Sequence, residues 1–313
     1  MMRADDIALA MTQVMHAAAL NFVLLPSLYL GASAVLLPAF DPGAVLDAVE
    51  QSRGTFVFCL PALWQFVTEE HARKAREVSS LRTIFVGGDS VSPALQRRSR
   101  ETFGLEVQEI YGMTETLPTT YNRKGSVRLG SMGMRPEGCE LRIVDPSGCD
   151  VAVGETGEIL VRSATNCIGY WNDPDSTRTA IDKDGWFHTG DLGSTDSDGY
   201  YWFKGRLKQI IIRGGSNISP QEVEGALYQH PAVLEAGVVG APDATYGEVV
   251  LAFVALRNGQ TVDEAELRAF AKQRLADYKL PERIVFLDAL PKGLTGKVNR
   301  CALKEMLSAA AGA

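Results

Sequence analysis

Glycine-rich clusters and one lysine-bearing loop hold the residue types that could handle a phosphorylated small molecule. Gly87-Gly88-Asp89-Ser90 follows a short apolar run ending at Val86 and precedes a helical pattern that opens near Ser92. Tyr111-Gly112-Met113-Thr114-Glu115-Thr116 follows the next such run. Tyr111 offers a flat ring to a purine, and Gly112 lets a backbone come close. Thr114 offers a hydroxyl to phosphate, and Glu115 is a hard oxygen ligand suited to Mg²⁺. Taken singly, Tyr111 also reads as packing and Glu115 as a solvated loop acid. In Asp184-Gly185-Trp186-Phe187-His188-Thr189-Gly190-Asp191, an Asp after a Gly turn can accept both hydroxyls of a ribose, or simply stabilise the turn. Arg206, in Gly205-Arg206-Leu207-Lys208, could hydrogen-bond a nucleotide or be surface charge. Lys297, in Leu294-Thr295-Gly296-Lys297, could reach a neighbouring cleft as a point charge, or lie exposed on a turn.

Other phosphate and metal motifs fail on their spacing. No G-x-G-x-x-G follows a strand pattern. Gly296-Lys297 lacks the upstream glycine of a P-loop, because that position is Pro291, and Val298 replaces the Ser/Thr. Asp196-Ser197-Asp198-Gly199 hints at a calcium loop, but Gly205 stands where the bidentate Glu belongs, so a tight hairpin turn is the reading there.

The elements that must position these residues can be read from periodicity and punctuation. Strand patterns at Val35–Leu37, Thr55–Cys59, Arg82–Val86 and Glu106–Tyr111 alternate with helices. One helix is capped by Asp41 with Pro42, one opens at Pro61, and one runs from Ser92-Pro93 to Gly104. The alternation predicts a mainly parallel sheet with helices on its faces, whose ligands bind at the carboxyl ends of strands. From about Gly112 to Lys208 short strands such as Glu140–Val144, Glu158–Arg162 and Tyr200–Phe203 predict a small β-rich subdomain. After Lys208 helices return. Capping boxes are read at Ser219–Glu222 and Thr261–Glu264, strands at Ala236–Val239, Val249–Leu256 and Ile284–Leu287, and a last helix after Asn299. The expected fold class is α/β: a partial large lobe over residues 1–208, with its α/β part to about residue 111, then a small α+β domain over 209–313 that carries Lys297. Lys208, at the junction, suits a hinge.

Composition narrows the partners. The 313 residues are 46% hydrophobic and 22% charged, ordinary for a folded chain with a sizeable core. With 31 basic and 38 acidic residues the net charge is −7, which argues against nucleic acid as the main partner. The five cysteines are odd in number and lack C-x-x-C spacing, which points to reduced thiols and a cytoplasmic protein. Ala17 to Phe40 carries no charge, but Pro26, Gly31, Ser33 and Pro38 interrupt it. It reads as a buried helix (Ala17 to Leu30) and a short strand rather than a transmembrane span.

Together, Tyr111–Thr116 (YGMTET), Gly157–Ile159, Gly169-Tyr170-Trp171, Gly185–Asp191 (GWFHTGD), Gly205–Lys208, Gly214–Pro220 and Thr295–Lys297 resemble the adenylate-forming superfamily of acyl-CoA synthetases, adenylation domains and luciferases. The likeness runs from about Asp5 to Leu307. It implies a two-step reaction: a carboxylate attacks the α-phosphate of ATP, giving an acyl-adenylate and pyrophosphate, and a thiol, commonly coenzyme A, then displaces AMP. By the same resemblance Gly87, Gly88, Asp89 and Tyr111, with Gly112, frame adenine, Thr114 holds phosphate, and Glu115 binds Mg²⁺. Asp191 and Arg206 hold the ribose, and Lys297 sits near the carboxylate and α-phosphate. Lys208 is the hinge and Gly214-Gly215 lines the pantetheine path. His16 borders an acyl pocket whose other candidates are Val86, Gly112 and Leu117. The apolar setting favours a fatty or aromatic acid.

The family's Ser/Thr/Gly-rich phosphate loop ending in Pro-Lys-Gly belongs upstream of the His16 segment, and no stretch of the 313 residues supplies it. Gln209 stands where many relatives have Asp. The resulting expectation is a chain N-terminally truncated relative to the family, with part of its packing surface exposed and impaired in the first half-reaction. The alternatives are an enzyme that loads a carrier protein, and a non-catalytic fragment that binds AMP or acyl-AMP. The oligomeric state is not legible.

Overall fold

Runs rich in β-branched and aromatic residues, Phe56–Cys59 and Thr83–Gly87, form the middle strands of the first sheet. The computed structural model describes residues 2–293 and 297–311. The first sheet consists of β1 (Ile7–Ala10), β2 (Ser33–Leu36), β3 (Phe56–Cys59), β4 (Thr83–Gly87), β5 (Val107–Met113) and β6 (Thr116–Tyr121). Their order is β2-β1-β3-β4-β5-β6; all neighbours run parallel except β6, which returns antiparallel beside β5. Two strands escaped the sequence reading. β1 contains two alanines and has weak strand propensity, yet Ala8, Leu9 and Ala10 are fully buried. β6 contains Pro118, which argues against a central strand but is tolerated on an edge.

Side-chain alternation builds a core on each face of this sheet. Leu9, Val57, Cys59, Ile84, Val86 and Val107 point to one face. They pack under α3 (Pro42–Ser52), α4 (Pro61–Arg73) and α5 (Pro93–Phe103) through Val45, Leu46, Val49, Trp64, Val67 and Leu95. Ala8, Ala10, Phe56, Phe58 and Phe85 point to the other face, against Ala18, Ala19 and Val23. The helix starts follow the expected punctuation: Asp41 Oδ1 accepts from Ala44 N at 2.7 Å, Ser92 Oγ accepts from Leu95 N at 3.2 Å, and α5 stops at Gly104, φ +67°.

The single buried helix expected over Ala17 to Leu30 is corrected. The segment is α1 (Ala17–Ala19), a π-helical turn (Leu20–Leu24) and α2 (Leu25–Leu30). Only one side is covered: Val23 is buried, whereas Leu28 is 70% and Tyr29 90% exposed. Among the described residues no helix is long and apolar enough to cross a membrane.

A second sheet, in the order β10-β9-β8-β7, comprises β7 (Cys139–Val144), β8 (Gly157–Ser163), β9 (Phe187–Thr195) and β10 (Tyr201–Arg206). α6 (Pro174–Ala180), capped by Asp173, also escaped the reading because none of its residues is buried and it leaves no apolar stripe. The Asp196–Gly199 turn is the expected hairpin: Asp196 Oδ1 accepts from Asp198 N and Tyr200 N, each at 3.0 Å, and Gly199 has φ +82°.

The chain divides into two units. One runs to Thr189 and resumes over Gly193–Phe203; the other comprises Gly190–Leu192 and the chain from Lys204 onward. Lys208 lies in a one-turn 3₁₀ helix, Leu207–Gln209, within the second unit.

The second unit carries a sheet in the order β12-β11-β14-β13, with β15 parallel on β14. Its elements are β11 (Ile211–Arg213), β12 (Ser216–Ile218), α7 (Pro220–Leu227), β13 (Val233–Asp243), β14 (Gly247–Leu256), α8 (Glu264–Lys272), β15 (Arg283–Phe286) and α9 (Arg300–Ala311). Val250, Ala252 and Val254 face α7 and α8, through Val223, Leu227, Leu267 and Ala271. Leu251, Phe253 and Ala255 face Leu290 and Leu303, the latter on α9. Both expected capping boxes are corrected. Ser219 Oγ does not cap α7 but donates to Gln221 Oε1 at 3.1 Å, and Glu222 pairs with Lys279. α8 is capped by Asp263, whose Oδ1 accepts from Glu266 N at 2.7 Å, while Glu264 accepts from Ile284 N.

Candidate active site

In the first unit the parallel strands β4 and β5 lie side by side with Gly87 opposite Ile110, which brings the Gly87–Asp89 loop next to Tyr111. Gly87 is required by packing: a Cβ there would stand 2.4 Å from the Ile110 carbonyl oxygen. Gly88 turns the chain with φ +85°. Asp89 is exposed, and its Oδ1 accepts from Ser90 N at 2.9 Å. Beneath this loop lies Glu109, a buried carboxyl that the sequence reading missed. It accepts from Val91 N at 3.5 Å and from Gln96 Nε2 at 3.3 Å. Gln96 Oε1 in turn accepts from Gly130 N at 3.1 Å. Burial raises the Glu109 pKa well above the ordinary value; the Val91 hydrogen bond opposes this, and the Asp89 charge reinforces it.

Tyr111 is half-buried, with its ring 6.5 Å from that of Phe203 and tilted by 46°. Gly112 sits at a register shift between β5 and β6. A Cβ on it would meet Leu117 Cδ2 and the Thr116 carbonyl oxygen, both at 2.9 Å. The turn that follows exposes Thr114 and leaves Glu115 half-buried. Glu115 is anchored from a distant segment: its carbonyl accepts from Cys167 N at 2.8 Å, and its Oε1 accepts from the Tyr170 hydroxyl at 3.0 Å. Burial, and then the bond to the Glu115 carboxylate, push the Tyr170 hydroxyl up to about 12. Tyr170 is a functional candidate that sequence reasoning quoted within Gly169-Tyr170-Trp171 without assigning it a task.

The two acyl-pocket candidates His16 and Val86 lie on opposite faces of the first sheet. Val86 is fully buried in the core under α3–α5, whereas His16 caps α1 on the other face, its Nδ1 accepting from Ala18 N at 3.2 Å. Leu117 is half-buried and close over Gly112. Among the described residues no group of three His, Cys, Asp or Glu side chains could hold a metal by itself. A single half-buried carboxylate, Glu115, fits Mg²⁺ that takes most of its oxygens from phosphates and water.

In the second unit Asp191, on β9, is 1% exposed and is gripped by Arg206 on neighbouring β10. Arg206 Nε donates to Oδ1 at 2.7 Å and Nη2 to Oδ2 at 3.3 Å; the Arg206 side chain is 48% exposed. The side-on fork of Arg206 orients a buried acid. Lys208 is exposed, and neighbouring Gln209 accepts from Gln221 Nε2 at 2.8 Å. Gly214 and Gly215 form the two-residue turn between β11 and β12, with φ +55° and +82°. Gly214 packs against Tyr246, whose ring a Cβ would approach to 3.3 Å, and Arg213 lies over that ring at 5.0 Å. Lys297 is exposed on a hairpin stem, its carbonyl accepting from Gly293 N at 2.8 Å. Leu294, Thr295 and Gly296, of the quoted loop, lie outside the described residues.

Loops at the carboxyl ends of parallel strands are where open α/β sheets bind their ligands. Residues 1–171 match the AMP-binding enzyme family and residues 222–297 match the AMP-binding enzyme C-terminal domain, and the chain belongs to this family. It is 41% identical over 297 residues to a feruloyl-CoA synthase of an Amycolatopsis species, covering 94% of this chain and 60% of that protein. It is 40% identical over 308 residues to an indoleacetate–CoA ligase of Aromatoleum aromaticum, covering 97% and 60%. Among solved structures, the anthranilate CoA ligase AuaEII in complex with anthranoyl-AMP superposes with a TM-score of 0.92 at 33% identity, over 99% of this chain and 61% of that one. ATP-bound MatB from Rhodopseudomonas palustris gives 0.90 at 32% identity, over 97% and 60%. The chain thus spans about three-fifths of the length of these relatives.

Proposed function

We propose that these residues carry the chemistry of an acyl-CoA synthetase acting on an aromatic carboxylic acid, with fatty acids as the second class. In the first step an acid oxygen forms a bond to the α-phosphorus of ATP and the α–β anhydride bond breaks, releasing pyrophosphate. In the second, the thiol of coenzyme A forms the C–S bond, the acyl–phosphate C–O bond breaks, and AMP leaves as the thiol proton passes to solvent.

The observation that carries this reading is the buried Asp191 carboxylate held by Arg206: it is oriented in advance and can accept from two vicinal hydroxyls, as ribose binding requires. In the same reading Gly87–Asp89, Tyr111 and Gly112 frame adenine, and Thr114 takes a phosphate oxygen. Glu115, turned by Tyr170, is the protein's ligand to Mg²⁺, which when bound neutralises phosphate charge. Lys297 stabilises charge on the attacking and bridging oxygens. Lys208 is the hinge, Gly214-Gly215 admits the pantetheine arm, and Leu117 with His16 borders the acyl group. Val86 is withdrawn from that border by its place in the opposite core. The aromatic preference rests on the feruloyl, indoleacetate and anthranilate ligases among the relatives.

The test supplies purified chain with ferulate, indoleacetate, octanoate or malonate and follows ATP–pyrophosphate exchange. In parallel it supplies preformed feruloyl-adenylate with coenzyme A or a phosphopantetheinylated carrier protein. Thioester formation with coenzyme A, above background and lost in Asp191→Ala, is expected. Exchange and thioester formation both at background would leave only the non-catalytic reading. Exclusive use of the carrier would replace the acceptor.

A further inference from the structure

We infer that Glu224 and Glu235 are positioning residues that clamp the two ends of the Lys297 hairpin, so that the lysine is delivered from a fixed stem; the role rests on the adenylation reading of Lys297. The stem is defined by its own backbone bonds. Gly293 N donates to the Lys297 carbonyl at 2.8 Å, Asn299 N donates to the Pro291 carbonyl at 2.8 Å, and Lys292 pairs with Val298 across the hairpin. A two-stranded stem of this length is marginal in water unless something else holds it.

Holding groups stand at both ends. At the entering end Lys292 Nζ donates to the buried Glu235 carboxylate on β13. At the leaving end Arg300, the first residue of α9, donates through Nη2 to both oxygens of Glu224 on α7, at 2.7 and 2.6 Å. Glu224 is itself fixed, its Oε1 accepting from Val238 N at 2.7 Å. Glu224 and Glu235 are 7% and 9% exposed, so bulk water and salt screen these pairs weakly. Between the two carboxylates β13 carries Gly237. A Cβ there would stand 2.8 Å from Leu303 Cδ1 and 2.9 Å from Val298 Cγ1, so the stem and α9 lie directly on the strand. The hairpin is thus held by an acid on each side and by an apolar seat in the middle. A lysine stabilising charge between two reacting groups loses its effect when misplaced by about 1 Å, which gives these attachments a purpose beyond folding.

The test compares Glu224→Gln, Glu235→Gln and Gly237→Ala with Lys297→Ala. Glu222→Gln serves as control, since Glu222 lies on the same helix but pairs with Lys279, away from the hairpin. Amide hydrogen exchange is read on peptides spanning residues 290–300 of the purified chain. Exchange at Gly293 and Asn299 should quicken about tenfold or more in the first three variants, with the β14 amides unchanged. Residual ATP–pyrophosphate exchange should fall by about tenfold or more, while thioester formation from feruloyl-adenylate stays within about twofold, the same split that Lys297→Ala produces. Unchanged stem exchange in folded variants would overturn the inference. So would equal slowing of both half-reactions in step with a lowered melting temperature, which marks a role in folding only. If Lys297→Ala itself leaves pyrophosphate exchange unaltered, the lysine's assigned role fails, and stem exchange alone decides whether the two acids hold the hairpin.

Discussion

Replacing Asp191 by asparagine separates ribose recognition from folding. Asp191 is buried and its two oxygens meet Arg206 at 2.7 and 3.3 Å. In the proposed complex each oxygen also accepts from one ribose hydroxyl. Asparagine keeps the shape and one acceptor, but turns an N–H₂ donor toward the second hydroxyl and removes the charge from the first bond. A hydrogen bond to a charged group contributes about 1.5–3 kcal/mol. Losing one and weakening the other costs about 2–3 kcal/mol, or roughly 30- to 150-fold in the dissociation constant of AMP. The folding cost is smaller. Arg206 is half-exposed and can turn its guanidinium to water, so screening limits the loss to about 1 kcal/mol. Titration calorimetry should show the AMP loss, and unfolding should show the small stability change. The decisive ligand is 2′,3′-dideoxy-AMP, which lacks both hydroxyls. The wild-type chain should prefer AMP over it by a factor that the variant erases, because the two deletions remove the same interaction. Equal AMP/dideoxy-AMP ratios in the two proteins would refute the assignment of Asp191 to the ribose.

Glu109→Gln tests the buried acid beneath the Gly87–Asp89 loop. Its folded-state pKa is raised, so its stabilisation is complete below the ordinary glutamate range and is lost as pH climbs from there through the folded value. Urea midpoints at pH 5 and pH 8 should therefore differ less in the variant than in the wild type. Tyrosine ¹³Cζ titration should find one of the nine tyrosines ionising at about 12. That signal should vanish in Tyr170→Phe and move down in Glu115→Gln, and no downward movement would sever the Tyr170–Glu115 link. Gly87→Ala should destabilise by about 2 kcal/mol or more, because its Cβ meets a backbone carbonyl. Gly215→Ala meets nothing within 4 Å and should cost only the left-handed backbone, about 1–2 kcal/mol, measured by the same denaturant titration.

Much of the candidate site was legible because its residues fall in short runs whose local chemistry does not depend on distant neighbours. The helix starts at Asp41 and Ser92 and the hairpin at Asp196–Gly199 are local hydrogen-bond patterns, and each was read correctly. The misreadings share a cause. β1 is a strand because of what lies beside it, not because of its own propensity, and β6 keeps Pro118 because it lies on the sheet edge. The capping boxes at Ser219 and Thr261 matched in spacing, but a tertiary contact took the second acid in each: Lys279 for Glu222, and Ile284 N for Glu264. Val86 was named as a pocket candidate, but the alternation of side chains along β4 turns it into the core under α3–α5.

The family, and the strings that hold the proposed nucleotide, acyl and lysine positions, are legible without any fold because they are contiguous. The groups that hold those residues in place emerge from the fold: Tyr170 on Glu115, Arg206 on Asp191, Glu109 under the glycine loop, and Glu224 with Glu235 at the lysine hairpin. Several of these partners stand dozens of residues apart, and their pairing is set by strand order and burial, which no local spacing records.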